Sequence, residues 1–166
     1  MAVTSHFYPN FTKVMGIKAA GSPSLTTDTF SAGLCTASSA TWGATQYAYV
    51  FASDITTAYT EVGTGGGYTS GYANRQGLTT LTFALGSANN IYNWTCTSPA
   101  PISFGASTTI TARTMFIYDK TANSVTVDTN SWVPWITDFG ASVVSTAGAF
   151  TYTVDAVNGL AYFTMS

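Results

Sequence analysis

Small and large side chains alternate in the stretch Phe30-Ser31-Ala32-Gly33-Leu34-Cys35. Its alternate members Phe30, Ala32 and Leu34 carry the larger apolar groups, and a period of two is that of a β-strand, whose successive side chains point to opposite faces. The same alternation recurs in four further runs: Tyr47–Phe51, Leu81–Phe83, Phe150–Val154 and Leu160–Phe163. Each run has about the length of an ordinary strand and is rich in residues that suit a pleated surface, so the sequence predicts an all-β fold.

Clusters of turn-forming residues separate these runs. They are Gly21–Ser24, Gly63–Gly71, Gly86–Asn90, Ser98–Pro101, Asp119–Ser124 and Val157–Gly159. Short strands with frequent turns are typical of a sandwich or barrel. We favour a single-domain β-sandwich of short antiparallel strands over residues 28–166, and a partly open barrel fits the same strand lengths. A hairpin is predicted at Asp119–Ser124, between Phe116–Tyr118 and Val125–Val127.

Helix signals are few, because charged helix formers are scarce and Gly or Thr interrupts most windows. One candidate helix remains at residues 10–20, where Phe11, Val14, Met15 and Lys18 follow helical spacing. The aromatic segment that precedes it, His6–Pro9, fits an extended arm equally well. Residues 1–27 are therefore predicted to form an N-terminal arm or a short helix.

The chain is unusually poor in charge. Charged residues make up 7% of it, against roughly 25% in an average globular protein. Since 46% is hydrophobic, a packed core is expected, with a surface made mainly of Thr, Ser, Asn, Gly and Tyr. Such a surface suits a protein that packs against neighbours. The five basic residues form no cluster, so we expect neither a direct nucleic-acid partner nor a membrane partner.

The sequence also predicts the cellular compartment in which the chain is made. Met1–His6 has neither the basic nor the apolar region of a secretory signal, so we expect synthesis in the cytoplasm. Cys35 and Cys96 allow at most one internal disulfide. A reducing cytoplasm favours two buried free thiols, with late oxidation in a released particle as the alternative.

Residue types that catalyse reactions or bind metals are scarce in this chain, or their spacing does not fit a known kind of site. The one histidine, His6, lies in a terminal segment that is hard to hold rigidly beside a nucleophile. The acids stand mostly beside turns, although a facing carboxylate pair of the glycosidase type stays open as a minor alternative. Cys35, Cys96 and His6 lack zinc spacing, and Gly63–Gly71 lacks the Gly-Lys-Ser/Thr ending of a phosphate loop. We predict no catalytic residue, no metal and no cofactor.

Aromatic residues offer the strongest binding signal, in the segment Trp132-Val133-Pro134-Trp135. A proline inside a sheet is confined to an edge strand or a bulge. We therefore expect Trp132 and Trp135 to lie near an edge, where they could meet a partner. Ordinary filling of the core is the equal alternative.

Several stretches follow one another in a recognisable order: Asp28–Ser38, Val50–Thr56, Glu61–Gly65, Gly67–Thr69, Thr109–Arg113, Phe116–Asp119, Ile136–Gly140 and Gly148–Tyr152. Together they resemble a family of small structural proteins of tailed-phage virions, among them capsid decoration, minor capsid and tail proteins. The chain departs from that pattern at Ser98–Pro101 and Trp132–Trp135. The resemblance implies a structural role in the virion without catalytic residues.

The resulting expectation is a virion protein that coats or cements a capsid. Its partners would be the major capsid protein and copies of itself in a homo-oligomer, bound through apolar surface poor in charge. The segment Met1–Lys13 would become ordered on a neighbour, with Phe7, Tyr8 and Phe11 as anchors. The alternative is a tail or fibre module that binds host-surface glycans through Trp132 and Trp135. A small hydrolase is a third hypothesis, which the lack of a histidine-centred site disfavours.

Overall fold

The structure is a computed structural model that describes residues 4–7, 24–25, 27–36, 51–65, 67–85, 91–98, 102–105, 109–121, 127–153 and 161–164. These residues form β1 (Thr4–Phe7), β2 (Phe30–Cys35), α1 (Ala52–Tyr59), β3 (Gln76–Leu85), β4 (Ile91–Ser98), β5 (Ile102–Phe104), β6 (Ile110–Asp119), a 3-10 helix (Asp128–Asn130), β7 (Trp135–Ser145), β8 (Phe150–Tyr152) and β9 (Ala161–Thr164). The predicted all-β class is confirmed.

Seven of the strands form one sheet, in the order β1-β7-β6-β2-β3-β4-β9, and every pairing in it is antiparallel. Its two edge strands, β1 and β9, contact each other, so the sheet curls back on itself. Strands β5 and β8 form a separate two-stranded antiparallel sheet. The sandwich arrangement stays a prediction, because a curled sheet with meeting edges is also expected of a partly open barrel.

Strand β2 lies inside the sheet, between β3 and β6, and all six of its residues are buried. The ring of Phe30 packs edge-on against Trp94 of β4, with 5.2 Å between centroids. Gly33 pairs with Phe116 of β6, whose ring lies where a side chain at position 33 would be. The alternation of large and small residues in β2 therefore reflects two crowded faces rather than one buried face and one solvated face.

A large bulge divides β7. Its pairing with β6 passes from Thr114↔Asp138 to Ala112↔Val143, so residues 139–142 of β7 stand opposite Arg113 alone. Gly140 lies in this bulge with a φ of 78°, a conformation that favours glycine. Beyond the bulge, the last residues of β7 pair again with the first residues of β6, and no other described strand pairs with either of them there.

The small sheet attaches to the large one at this bulge. The ring of Phe139 lies 5.6 Å from Phe150 and 6.3 Å from Tyr152, both on β8. On β5, Phe104 packs 6.3 Å from Phe150 and 6.1 Å from Tyr68, which precedes β3. A run of aromatic rings thus joins the two sheets.

The helix α1 was not predicted. It buries Ala52, Ile55 and Tyr59 on one side, and the Asp54 carboxylate accepts the Phe51 N–H at its start, 2.9 Å away. The sequence places Phe51 at the end of the predicted strand run Tyr47–Phe51. Phe51 is extended and forms an isolated bridge with Trp132 directly before the helix, while residues 47–50 lie outside the described residues.

The predicted hairpin between residues 116–118 and 125–127 is also wrong. At Phe116 and Ile117, β6 already pairs with β2 on one side and with β7 on the other. A strand has only two edges, so no third strand fits there. Residues 122–126 themselves lie outside the described residues.

Part of the predicted N-terminal arm belongs to the sheet. Residues Thr4–Phe7 form β1 and pair with Trp135–Asp138 of β7. The candidate helix at residues 10–20 lies outside the described residues. In the part of the chain that the structure describes, no helix has the length and apolar character needed to cross a membrane.

Candidate functional site

The most elaborate group of charged side chains is centred on Arg75, whose side chain is 0% exposed. Its Nε donates to Glu61 Oε1 at 2.7 Å and its Nη2 to Glu61 Oε2 at 2.8 Å. On the other side, Nη1 and Nη2 donate to Asp128 Oδ1 and Oδ2 at 2.6 and 2.7 Å. One guanidinium therefore holds two carboxylates, each through a pair of hydrogen bonds. We call Arg75, Glu61 and Asp128 the Arg75 cluster.

Three separate parts of the fold meet in this cluster. Glu61 follows α1 and forms an isolated bridge with Cys35 of β2. Asp128 belongs to the 3-10 helix, and Arg75 directly precedes β3. The guanidinium also lies over two rings of β6, 5.1 Å from the centroid of Phe116 and 4.9 Å from that of Tyr118.

The Gly-rich segment is tied to the same carboxylate. The Tyr68 hydroxyl donates to Glu61 Oε1 at 2.8 Å and accepts the Leu34 N–H of β2 at 3.1 Å. The Gly71 N–H donates to Glu61 Oε1 at 3.1 Å. Gly67 and Gly71 have φ values of 81° and 89°, a conformation that favours glycine, which explains the glycines at these two positions of the turn cluster Gly63–Gly71.

The electrostatics of the cluster favour ionised side chains. Burial alone would raise the pKa of Glu61, but hydrogen bonds and charge from Arg75, with help from Tyr68 and Gly71, lower it below its ordinary value. Burial would lower the pKa of Arg75, and the two carboxylates raise it instead. The Tyr118 hydroxyl has its pKa raised to about 12, mainly by burial.

This arrangement suits structure better than catalysis. Glu61 and Asp128 are two carboxylates brought to the same guanidinium, so they are the pair in which the glycosidase alternative can be tested. The general acid of a glycosidase needs a raised pKa so that it carries a proton at working pH. Because Arg75 lowers the pKa of Glu61, that carboxylate is an anion held in place rather than a proton donor.

The other described carboxylates also have local hydrogen bonds. Asp28 accepts the Ser24 N–H, Asp54 caps α1 and Asp119 accepts the Thr121 N–H. Asp138 accepts from Arg113 Nε and from the Gly140 N–H, each at 2.7 Å. Among the described residues, no three His, Cys, Asp or Glu side chains come together as metal ligands.

Trp132 and Trp135, the two tryptophans of the predicted binding segment, lie in different environments in the structure. Trp135 is 5% exposed, lies in β7 between β1 and β6, and donates from Nε1 to Thr137 Oγ1 at 3.1 Å. The prediction that it lies near an edge is wrong, because Pro134 precedes the strand instead of lying within an edge strand. Trp135 therefore belongs to the core.

Trp132 is half-buried and remains partly accessible. Its ring packs 5.1 Å from Phe51, and the two residues form an isolated bridge. Of the predicted arm anchors, Phe7 pairs with Trp135 through the backbone of β1, whereas Tyr8 and Phe11 lie outside the described residues. Trp132 is therefore the one predicted interface residue that the structure describes as partly accessible.

The described surface consists mainly of small, uncharged residues. Among the described residues, the exposed positions are Thr, Gly, Ala and Ser, with Asn74, Val127 and Val144 as additions. None of the charged residues whose burial is described is among them: Asp28, Asp54, Glu61, Arg113, Lys120 and Asp128 are half-buried, and Arg75, Asp119 and Asp138 are buried. The most exposed of the described positions therefore carry no charge, and the described charged side chains are at least partly buried.

One shallow cleft in the described part of the chain has a volume of about 60 Å³. It is lined by Gly67, Tyr68, Thr69, Asn74, Gln76, Phe104 and Gly105. Its lining carries no charge, and the volume is room for a few water molecules.

The thiol of Cys35 is buried and forms no disulfide in this structure. Comparison of the chain with protein-family models, with curated proteins and with solved structures gave no match.

Proposed function

We propose that this chain is a non-enzymatic structural protein of a tailed-phage virion, namely a capsid decoration protein that binds the major capsid protein and copies of itself. It would be made in the host cytoplasm and become part of the particle. Its work would be adhesion, in which a neutral surface of small side chains is buried against neighbouring subunits.

The uncharged surface is the observation that carries this proposal. The interior of a protein interface is depleted in Lys, Glu and Asp, since burying a charge is costly unless it is paired. In this chain none of the described charged residues is fully exposed, and five of them form the ion pairs Arg75–Glu61, Arg75–Asp128 and Arg113–Asp138. A neutral surface of this kind suits repeated contacts with identical neighbours.

The sequence resemblance directs the proposal to a phage particle rather than to another assembly. The stretches that carry it fall largely on strands and loops of the all-β fold, among them β2, the first part of β7 and β8. The arrangement of the Arg75 cluster also supports a structural role, because it fixes loops rather than activating a proton donor.

The proposal is tested by co-sedimentation of the purified chain with empty capsid shells and, separately, with isolated tails of the phage that encodes it. We expect saturable binding to shells at a stoichiometry that matches their repeating units. Because none of the described charged residues is fully exposed, the binding should change little between about 0.05 and about 1 M salt. Binding to neither structure would overturn the proposal.

Single Lys substitutions would then locate the contact face. Thr57, Thr82, Thr111 and Thr151 are exposed and lie on α1, β3, β6 and β8. Each Thr→Lys variant should fold, as checked by circular dichroism, because exposed substitutions cost little stability. If the chain contacts the capsid shell through one face, only the variants on that face should lose shell binding. The other variants then serve as matched controls.

The rival function is a tail module that binds host-surface glycans. Only Trp132 of the two proposed platform residues remains accessible, since Trp135 is buried. Binding to tails but not to shells would favour this function. Loss of binding to host cell-wall fractions in Trp132→Ala, measured beside the wild type, would then support it.

A further inference from the structure

The Gly-rich segment contains a small loop that closes on itself. Gly65 and Tyr68 exchange two backbone hydrogen bonds of 2.9 Å. The hydroxyls of Thr64 and Ser70 lie 2.8 Å apart, and the Ser70 N–H donates to Thr64 Oγ1 at 3.2 Å. We call residues 64, 65 and 67–70 the flap, and residue 66 lies outside the described residues. The ends of the flap are therefore held together by its own hydrogen bonds.

One side chain fastens the flap to the rest of the fold. Tyr68 is 3% exposed, whereas the other described flap residues are exposed or half-buried. Its hydroxyl donates to Glu61 Oε1 at 2.8 Å and accepts the Leu34 N–H of β2 at 3.1 Å. Its ring lies 6.1 Å from Phe104 beside the cleft of about 60 Å³, which is lined by residues of both the flap and β5. Tyr68 is thus a latch next to incompletely filled space.

Two glycines flank the flap. At Gly63 and Gly71 an added Cβ would have no atom within 4 Å, so neither position is packed against the body. Beyond Gly71 the chain is fixed again, because the Tyr72 hydroxyl donates to the Lys120 carbonyl at 3.0 Å. The Tyr72 carbonyl also accepts the Tyr118 hydroxyl at 2.7 Å. The two glycines are therefore positions at which the flap can turn while its surroundings stay in place.

The charge of Glu61 determines how firmly the latch is held. Its Oε1 accepts from the Tyr68 hydroxyl and from the Gly71 N–H. Arg75 Nε donates to the same oxygen, and Arg75 Nη2 donates to Oε2. A proton on either oxygen would face a donor, so at least one of these hydrogen bonds must break or reverse. The others weaken, because a charged acceptor binds about twice as strongly as a neutral one.

Glu61 is also the group through which acid can reach the flap. In the described part of the chain, the other ionisable groups around it are Arg75, Tyr68, Cys35 of β2, Tyr118 of β6 and Asp128 of the 3-10 helix. Burial raises the pKa of the thiol and of both tyrosines, so these groups stay neutral in acid. Asp128 binds Arg75 and, among the described residues, forms no hydrogen bond with the flap.

We propose that the flap opens as a unit about Gly63 and Gly71 when Glu61 takes up a proton. Opening uncovers the Leu34 N–H and the Tyr68 ring, and it needs less free energy than unfolding because one side chain leaves the interior. The closed form holds the pKa of Glu61 below its ordinary value of 4.5, so opening becomes easier as the pH falls below that value. The flap belongs to the single chain and does not depend on the particle role.

Hydrogen exchange of the purified wild type tests the proposal, with rates corrected for the intrinsic effect of pH on exchange. Between about pH 7 and about pH 3, the Leu34 and Gly71 amides should together lose about tenfold in protection relative to Phe116. Phe116 is the reference because it lies in β6 and pairs with both β2 and β7. Protection that changes equally at all three amides, or at none, would overturn the proposal.

Three variants at neutral pH separate the latch from general stability. Glu61→Gln puts an amide donor where the proton would lie, so it should deprotect Leu34, which Glu61 does not bind, by about tenfold. Asp128→Asn removes the other carboxylate of Arg75 and should leave Leu34 unchanged relative to Phe116.

Tyr68→Phe keeps the ring, removes the latch hydroxyl and should deprotect Gly71, whose own hydrogen bond to Glu61 it leaves intact. Equal effects of Glu61→Gln and Asp128→Asn would overturn the latch. An unchanged Gly71 in Tyr68→Phe would overturn the opening of the flap as a unit.

Discussion

Arg75 and Glu61 meet as two matched forks: Nε and Nη2 of the guanidinium donate to Oε1 and Oε2 of the carboxylate at 2.7 and 2.8 Å. The second edge of the same guanidinium binds Asp128 in the same way. A lysine ammonium could not reproduce this, because it is a compact charge without a planar fork. The pair fixes the start of β3 to the segment that follows α1.

Removal of the Arg75 charge should destabilise the fold strongly. In Arg75→Met the apolar stem is retained, but Glu61 and Asp128 lose their shared cation while they remain largely shielded from water. Breaking a buried pair by removing one partner typically costs about 3 to 5 kcal/mol. Urea unfolding followed by tryptophan fluorescence measures the loss as a change in the free energy of unfolding.

Arg113→Met is the matched control for that experiment. Arg113 donates to Asp138 from a side chain that is 23% exposed, and the Gly140 N–H continues to bind Asp138 without it. A loss of about 1 kcal/mol is expected for such a partly exposed pair. Equal losses in the two variants would contradict a special structural role for the Arg75 cluster.

Acid should weaken the fold through Glu61. The folded-state pKa of Glu61 is lowered from its ordinary value of 4.5, so its contribution is fully present above that pH. It is lost as the pH falls through the lower folded-state pKa, because the unfolded chain then binds the proton first. The urea midpoint should therefore decrease as the pH is taken from 7 to below about 4.

Glu61→Gln separates this effect from general acid unfolding. The variant should be less stable than the wild type at neutral pH, since Arg75 then faces one neutral partner. The difference between the two proteins should shrink as the pH falls, because protonation of the wild type removes the same charge. A difference that stays constant from pH 7 to pH 3 would show that Glu61 contributes through shape alone.

Gly33 is expected to reject even a methyl group. A Cβ at this position would lie 2.6 Å from Cζ of Phe116 and 2.9 Å from Cδ of Arg75, so the ring would have to move. Gly33→Ala should cost about 1 to 3 kcal/mol, as other overpacked core sites do. Gly77→Ala on β3, where no atom lies within 4 Å of the added carbon, should be neutral or slightly stabilising. Equal denaturation midpoints for both variants would contradict the close fit at Gly33.

Four of the nine described strands could be predicted because their signal is local. Alternating residues mark β2, the middle of β3, β8 and β9 within a few positions of where the structure has them. The short helix α1 could not be predicted with the same ease. Its buried face consists of only Ala52, Ile55 and Tyr59, and part of its stability comes from the distant Ser131, whose carbonyl accepts the Ala52 N–H.

The Arg75 cluster illustrates what the sequence leaves open. Arg75 lies 14 positions from Glu61 and 53 positions from Asp128, so no local spacing connects them. The contact of Arg75 with Glu61 and Asp128 depends on the register of β2 with β6 and on where the 3-10 helix lies. The one hint in the sequence is the scarcity of charge itself, since an arginine in a chain with so few charges has few roles other than pairing the acids. For Trp135 the sequence left an edge position and the core as equal alternatives, because Pro134 marks the start of an inner strand as readily as an edge, and the structure places this residue in the core.

The Cys35 thiol should be unreactive in the folded protein. It is buried in β2, and burial, reinforced by the nearby Glu61 carboxylate, raises its pKa well above the ordinary value. Thiol reagents attack the thiolate, so both inaccessibility and the raised pKa slow the reaction. In a Cys96→Ser background, which leaves one thiol to count, native labelling should be on the order of a thousandfold slower than labelling in denaturant.

The same thiol can report on the Arg75 cluster. Cys35 forms a bridge with Glu61, so loss of the cluster should open the structure around the thiol. Adding Arg75→Met to the Cys96→Ser background should therefore speed labelling of Cys35 more than Arg113→Met does. Rapid labelling of Cys35 in the Cys96→Ser variant without a second substitution would mean that β2 is accessible in solution. Equal acceleration by both substitutions would show that the thiol senses global stability and not this cluster.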